Sequence, residues 1–135
     1  MTDVAPPRLF RVILPVFDIE AAAAFYARLL EMPGTRVSGG RHYFDCGGTI
    51  LACFDALADG DPEQVVPNPQ HVYFSVDDLD AAHSRADQAG CRELTAIEVQ
   101  PWGERSFYAR DPFGNPICFV DSRTLFTGET PFTPA

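Results

Sequence analysis

An eight-residue pattern occurs twice in this chain, sixty residues apart, and it constrains the fold more than any other feature of the sequence. The copy "PVFDIEAA" begins at Pro15, and the copy "SVDDLDAA" begins at Ser75. Each copy follows an apolar segment rich in β-formers and opens a segment with helical character. Asp18 and Asp78 are good helix N-caps, because an aspartate there accepts hydrogen bonds from the first backbone N–H groups. The repeat therefore predicts two copies of one strand–helix unit.

Both predicted helices run into residues that end helices. The first is expected to extend from Asp18 to the Pro33-Gly34 pair, and the second from Asp78 to Gly90. Three short strands are predicted after each helix, because β-prone runs there are separated by turn-forming residues. These strands cover 35–37, 41–46 and 49–54 in the first half, and 94–100, 105–110 and 117–121 in the second. Each half is thus predicted to fold as β-α-β-β-β.

The segment between the two halves is polar and rich in proline and glycine, which is typical of a linker. It covers residues 55–69, "DALADGDPEQVVPNP". We therefore expect a single domain over residues 1–135, with modules at about 8–54 and 70–122. The last twelve residues, "TLFTGETPFTPA", are expected to be loosely ordered or packed on a partner.

The net charge is −9, and all ten basic residues are arginine. Such a balance repels phosphate backbones, so nucleic acid is not an expected partner. No apolar run approaches the ~18 residues of a membrane span, and residues 1–8 lack the apolar core of a signal peptide. The four cysteines form no CxxC pair, which favours reduced, buried thiols. We expect a cytoplasmic protein that contacts neither nucleic acid nor membrane.

Three features together resemble the vicinal oxygen chelate superfamily, which includes glyoxalases, extradiol dioxygenases, fosfomycin-modifying enzymes and bleomycin-resistance proteins. They are the βαβββ repeat, the two "V-x-D-[IL]-[DE]" joints between strand and helix, and the late "DPFGN" turn. The resemblance covers about residues 8–122. It implies an α+β fold in which two βαβββ modules form a curled mixed sheet around a cup. It also implies that two chains pair as a homodimer.

Alternation along the first strand of the second module selects the side chains that face this cup. Val72 and Phe74 belong to an apolar row that is expected to pack under the helix. His71 and Tyr73 then point to the opposite face, into the cup. By the repeat, Arg11 takes the position of His71 in the first module. A positive charge from Arg11 is expected to lower the pKa of His71 and keep the imidazole neutral.

The resemblance also implies four ligand positions for a metal, one on the first and one on the last strand of each module. They map onto Arg11, Ala52, His71 and Cys118. Only His71 is a typical ligand there, because a guanidinium cannot ligate and alanine has no donor. A stable site usually needs three or four protein ligands, although His71 with Cys118 could hold a soft metal such as zinc. We therefore expect no metal and no other cofactor, with Cys118 acting as a small hydrophobic residue.

A second dense patch is "QPWGERSFYARD", which related family members place at the mouth of the cup. Trp102 is a candidate for stacking on a planar or cationic ligand, and Arg105 is a candidate for holding a carboxylate. The alternatives are a packing role for Trp102 and a surface ion pair of Arg105 with Glu104 or Glu98. Both alternatives stay open at the level of the sequence.

Two functions from different classes remain. The first is a metal-free small-molecule-binding protein of the bleomycin-resistance type, with an organic ligand in the cup. The second is a lyase or isomerase of the glyoxalase type, or a dioxygenase-like metalloenzyme, with His71 as the catalytic base or as a metal ligand. The candidate ligand-binding residues are Arg11, Tyr43, His71, Tyr73, Trp102, Arg105 and Cys118. Phe126 and Phe132 in the tail are expected to be covered in the dimer.

Overall fold

The structure is a computed structural model, and it describes residues 4–128 and residue 134. Two compact units divide the chain, Met1–Pro67 and Asn68–Ala135, here called unit 1 and unit 2. Each unit holds one helix and one four-stranded mixed sheet, so the predicted α+β fold with two βαβββ repeats is confirmed. Within the described residues, no helix is long and apolar enough to cross a membrane.

Unit 1 carries its helix after the first strand and its remaining strands after the helix. Its elements are β1 (Arg11–Pro15), α1 (Ile19–Leu30), β2 (Thr35–Ser38), β3 (Arg41–Cys46) and β4 (Thr49–Phe54). The strand order is β1-β4-β3-β2, with β1 parallel to β4 and the other pairs antiparallel. The helix buries Phe25, Tyr26 and Leu29, and the Tyr26 ring lies 6.3 Å from that of Phe44.

Unit 2 repeats this arrangement with the same topology. Its elements are β5 (Val72–Val76), α2 (Leu79–Ala89), β6 (Glu98–Val99), β7 (Arg105–Arg110) and β8 (Pro116–Asp121), followed by a 3-10 turn at Ser122–Thr124. The strand order is β5-β8-β7-β6, again with one parallel pair, β5 with β8. On the helix side of the sheet, the Phe119 ring stacks between Phe74 at 4.9 Å and Phe107 at 5.3 Å.

Both helices begin at the predicted caps. The side chain of Asp18 accepts from the backbone N–H of Ala21 at 3.1 Å, and Asp78 accepts from that of Ala81 at 3.0 Å. The carboxylates also lie at the positive ends of the helix dipoles. The second helix ends at Gly90, as predicted, with glycine in the left-handed conformation at φ 89°.

The end of α1 differs from the prediction. The helix stops at Leu30, and Glu31 caps it in the left-handed conformation at φ 56°, donating its N–H to the carbonyl of Ala27. The proline ring of Pro33 disfavours the helical conformation for Met32, which precedes it. The helix therefore closes before the Pro33-Gly34 pair rather than at it.

The first strand after α2 is also shorter than predicted. The expected strand over 94–100 is reduced to Glu98–Val99. Upstream of it, the Thr95 hydroxyl accepts the N–H of Tyr108 at 2.9 Å, in place of a backbone carbonyl. The N–H of Thr95 in turn donates to the carbonyl of Tyr108 at 2.9 Å. The Thr95 side chain thus replaces one backbone acceptor between the two segments. The segment before Glu98 therefore runs beside β7 without forming a regular strand.

The first part of the predicted linker belongs to unit 1. Asp55 and Ala56 are buried. The Asp59 carboxylate accepts from the Ser38 hydroxyl, from the Gly40 N–H at 3.0 Å and from Arg41 at 3.1 Å. Gly40 is required there, because a Cβ on it would collide with the carbonyl oxygen of Asp55. The residues after β4 therefore fold back onto the turn between β2 and β3.

Candidate functional site

In unit 2, four side chains gather on the sheet face opposite α2. Tyr73, Cys118 and Tyr108 are aligned across β5, β8 and β7 by the strand register. His71 precedes β5, and its ring centroid lies 5.0 Å from that of Tyr108 and 6.2 Å from that of Tyr73. We call these four residues the His71 face. The predicted alternation is therefore observed, since the stacked phenylalanines occupy the helix side.

His71 is half-buried and uncharged at neutral pH. Burial lowers the pKa of the imidazole below its usual range, and the positive charge of Arg110 lowers this pKa further. The direction agrees with the prediction, but burial is the main cause and Arg110, rather than Arg11, supplies the charge. Arg110 itself pairs with Glu93 and donates to the carbonyl of Gly114 at 3.0 Å. A neutral imidazole can both donate and accept a hydrogen bond.

Cys118 forms the floor of the His71 face. It is 1% exposed, and its S–H points towards the carbonyl oxygen of Phe119 at 4.0 Å. Burial raises the pKa of the thiol to about 12, so it stays protonated at any physiological pH. Burial is also the main cause of the raised pKa of the Tyr108 phenol. Burial thus favours the uncharged forms of both Cys118 and Tyr108 beside His71.

Unit 1 has an equivalent face with different chemistry. Ala52 pairs with Tyr43 on β3, as Cys118 pairs with Tyr108 on β7. The register thus confirms that Ala52 and Cys118 are equivalent. The guanidinium carbon of Arg11 lies 5.0 Å from the centroid of the Phe10 ring and 5.1 Å from that of Tyr43. Arg11 therefore contacts Tyr43 as His71 contacts Tyr108.

The side chains present do not fit the metal that the family resemblance implies. Two of the four ligand positions, Arg11 and Ala52, carry no donor to a metal. A third, Cys118, keeps its proton, whereas a thiol must lose it to ligate. In the part of the chain that the structure describes, no group of three His, Cys, Asp or Glu residues is placed to hold a metal ion. Of the four ligand positions, only that of His71 therefore holds a typical metal ligand.

The two candidates in the "QPWGERSFYARD" patch differ in their surroundings. Trp102 is 49% exposed, and its indole N–H donates to Glu104 Oε1 at 2.7 Å. Arg105 lies on the helix side, where its guanidinium contacts Asp80 at 3.2 Å and Asp121 at 3.5 Å. The ion-pair alternative for Arg105 therefore holds, but its partners are not Glu104 or Glu98. Ligand binding by Arg105 stays a prediction that its surroundings do not favour.

Sequence reasoning missed two residues beside His71. Alternation along β7 sets Tyr108 and Arg110 on one face and Arg105 on the other, but it does not indicate which set lies beside His71. The pairing of Tyr108 with Cys118 decides it. The two strands are joined by the short "DPFGN" turn, so the register of this hairpin was the available signal.

The family model of the Glyoxalase/Bleomycin resistance protein/Dioxygenase superfamily matches residues 8–119. The chain belongs to this superfamily. Lactoylglutathione lyase from Agrobacterium tumefaciens has a TM-score of 0.66 and 24% identity, and the match covers 87% of this chain and 96% of that chain. A glyoxalase/bleomycin resistance protein from Albidiferax ferrireducens has a TM-score of 0.68 and 24% identity, covering 82% of this chain and 96% of that chain. At such identities the likeness shows the shared fold.

Sequence relatives cover less of the chain. An uncharacterized protein of Mycobacterium bovis is 39% identical over 70 residues, which make up 52% of this chain and 40% of that protein. An uncharacterized protein of Mycobacterium tuberculosis is also 39% identical over 70 residues, and the match covers 36% of its length. The chain therefore matches less than half the length of these relatives.

Proposed function

We propose that this member of the superfamily binds a small organic molecule on the His71 face and that it does so without a resident metal. The observation that carries the proposal is the neutral His71 beside Tyr73 and Tyr108, above a protonated thiol. A metal-using site would need carboxylates or further imidazoles at these positions. What stands there is an aromatic surface that carries three hydrogen-bonding groups, the imidazole and two phenols.

The same side chains define the class of ligand. Rings of His71, Tyr73 and Tyr108 suit a flat, mostly apolar molecule, because offset and edge-to-face contacts between rings are favourable. The imidazole and the two phenols supply donors and acceptors that fix its orientation. Trp102 is exposed at the turn before β7 and is a further stacking candidate.

A lyase or isomerase is the second candidate, and the neutral His71 favours it. An imidazole that is unprotonated at pH 7 can accept a proton from a bound substrate, which is the role of a general base. The lowered pKa makes it a weaker base than a free histidine. Binding without turnover therefore remains the first proposal.

The proposal also covers the oligomeric state of the protein and its cellular compartment. We expect a homodimer, because Leu125 and Phe126 leave apolar side chains exposed after the last strand. The predicted role of Phe132 lies outside the described residues. The four cysteines lie in the described part of the chain and form no disulfide there, which supports a reducing compartment such as the cytoplasm.

A thermal-shift screen of small aromatic compounds and of divalent metals tests the function. A compound present at a hundred times its Kd stabilises the folded state by about 2.7 kcal/mol, which raises the Tm by roughly 10 °C. We expect at least one such compound and no metal bound in stoichiometric amount. His71→Ala and Tyr108→Leu should remove the shift by that compound.

His83→Ala is the matched control, because His83 lies on the helix side of the same sheet, with its ring against Phe107 at 4.9 Å. It should leave the affinity unchanged after correction for stability. About one metal ion per chain, lost in His71→Ala, would overturn the metal-free proposal. An affinity that survives both His71→Ala and Tyr108→Leu would show that the ligand binds elsewhere. Turnover of a compound that is lost in His71→Ala would favour the enzyme.

A further inference from the structure

Arg11 in unit 1 is held by rings rather than by carboxylates. Its guanidinium carbon lies over both Phe10 and Tyr43, at 5.0 and 5.1 Å from the ring centroids. Within residues 4–128, the Arg11 side chain makes these ring contacts and forms no hydrogen bond or ion pair. Contact with an aromatic face stabilises the cation without using its N–H donors. The donors of Arg11 are therefore available in a fixed position.

Two other arginines of the unit have carboxylate partners. Arg36 pairs with Glu20 at 2.8 Å, and Arg41 pairs with Asp59 at 3.1 Å. Arg41 is informative because it lies on the same sheet face as Arg11 and donates to the Tyr43 hydroxyl at 3.3 Å. Two arginines thus border one tyrosine, and one of them is already neutralised. The charge of Arg11 is left for a ligand on this face, with that of Arg8 beside the same Phe10 ring at 5.9 Å.

Asp45, a carboxylate on the same sheet face, does not serve as an ion-pair partner of Arg11. Asp45 on β3 pairs in register with Ile50 on β4, which pairs with Arg11 on β1. Two strand spacings separate Asp45 from Arg11, or about 10 Å. The Asp45 carboxylate instead accepts the N–H of Gly48 at 2.8 Å, which closes the β3–β4 turn.

Apolar surface borders the Arg11 guanidinium. Phe10 is 50% exposed, and Ile13, two residues along the same face of β1, is 36% exposed. Ala52, which pairs with both Ile13 and Tyr43, contributes only a methyl group between them. An anion that binds Arg11 would therefore lie beside rings and aliphatic side chains, among them Ile50, which pairs with Arg11 on β4.

We propose that Arg11 binds the carboxylate of a small apolar molecule. A guanidinium offers two parallel N–H donors that match the two oxygens of a carboxylate, and such charge-assisted pairs are the stronger hydrogen bonds of proteins. The apolar body of the ligand contacts Phe10 and Ile13. The chain as a whole carries a charge of −9, so a bound anion needs a fixed local cation, which Arg11 supplies. This site belongs to unit 1 and does not depend on the function proposed for the His71 face.

Benzoate and its neutral analogue benzamide test the proposal on the full chain. In ¹H–¹⁵N NMR spectra, benzoate should shift the Nε–H signal of Arg11 in a saturable way, and benzamide should not. Arg11→Ala should weaken benzoate binding about 10- to 100-fold, the loss expected for a charge-assisted bidentate pair. Arg11→Lys should recover only part of it, because lysine keeps the charge but lacks the planar fork.

Two further variants separate this site from general charge effects. Phe10→Leu should weaken binding about 2- to 5-fold, because it removes one ring that orients the guanidinium. Arg28→Ala removes an equally exposed arginine from α1 and should leave the affinity unchanged. The proposal is overturned by benzamide binding as tightly as benzoate, by an unchanged affinity in Arg11→Ala, or by no saturable shift of Arg11. The His71→Ala variant tests the other site, so either proposal can fail alone.

Discussion

Cys118 gives the sharpest test of the metal-free site, because its chemistry depends on one proton. If it ligated a metal it would be a thiolate; in the structure it is a thiol 1% exposed with a pKa of about 12. At pH 8 a group with that pKa is ionised to about one part in ten thousand. An ordinary cysteine, with a pKa of about 8.5, is about one-quarter thiolate at the same pH. The thiolate of Cys118 is thus depleted about 2,000-fold.

A thiolate of high pKa is also a better nucleophile, and this offsets part of the depletion. With a Brønsted coefficient of 0.4–0.5, a pKa higher by about 3.5 raises the intrinsic rate about 25- to 55-fold. The net effect of ionisation is then a reaction about 40 to 100 times slower than that of an ordinary thiol. Cys118 must in addition become accessible before it reacts, so its native rate should be lower still.

The assay is reaction of the folded protein with an aromatic disulfide reagent at pH 8, followed by quenching and peptide mapping. Cys91 is the internal control, since burial raises its pKa to the same value of about 12 while it is only half-buried. Cys46 is also half-buried, and burial raises its pKa by a smaller amount. The expected order of rates is Cys46, then Cys91, then Cys118, with all three rates equal in denaturant. Reaction of Cys118 within tenfold of Cys46 would refute the reasoning and revive a thiolate ligand.

Three other predictions follow from the described contacts. Phe119→Ala should lower the free energy of unfolding by about 3–5 kcal/mol in urea denaturation, because the ring stacks between two others in the core of unit 2; a loss below 1 kcal/mol would contradict that packing. Hydrogen bonds from Arg123 and Arg105 lower the pKa of Asp121 to about 2, below its unfolded value of about 3.9. This carboxylate therefore stabilises the fold above pH 4, and the stabilisation disappears as the pH falls towards 2. Asp121→Asn should remove that pH dependence, and an unchanged acid profile would speak against it. Light scattering should give about twice 14.8 kDa, and a monomer mass at micromolar concentration would rule out the dimer.

Much of the fold was predictable because its signals are local. The β3 and β4 bounds are as predicted, since Gly47 and Gly48 take positive φ values of 68° and 102° in the turn between them. The N-caps Asp18 and Asp78 act within three residues of themselves. The error in β6 arose where a distant group replaced a local rule. Thr95 shortened β6 by bonding to Tyr108, thirteen residues away, and no propensity of the segment indicates that bond.

The candidate site was predictable in part, and the limit was register rather than residue type. Alternation placed His71 and Tyr73 together, and the aligned last strands placed Cys118 with them. Alternation also separated Tyr108 and Arg110 from Arg105, but it could not say which set lay beside His71. The partners of Arg105 show why: Asp80 and Asp121 are 25 and 16 residues away, so only the folded sheet brings them to its guanidinium.

The repeat explains why membership of the superfamily leaves the function open. Both units hold the same backbone register, with a residue on the last strand paired to a tyrosine on the third strand. The side chains at equivalent positions nevertheless differ. Arg11 in unit 1 corresponds to His71 in unit 2, and Ala52 on β4 corresponds to Cys118 on β8. These four side chains lie opposite the helix faces of the sheets, and two of them, Ala52 and Cys118, are buried. Residues at these positions therefore differ between the units while the backbone register stays the same. Proteins of different activity can share a scaffold for the same reason, and within this chain the His71 face and the ring-held Arg11 are an example of such a difference.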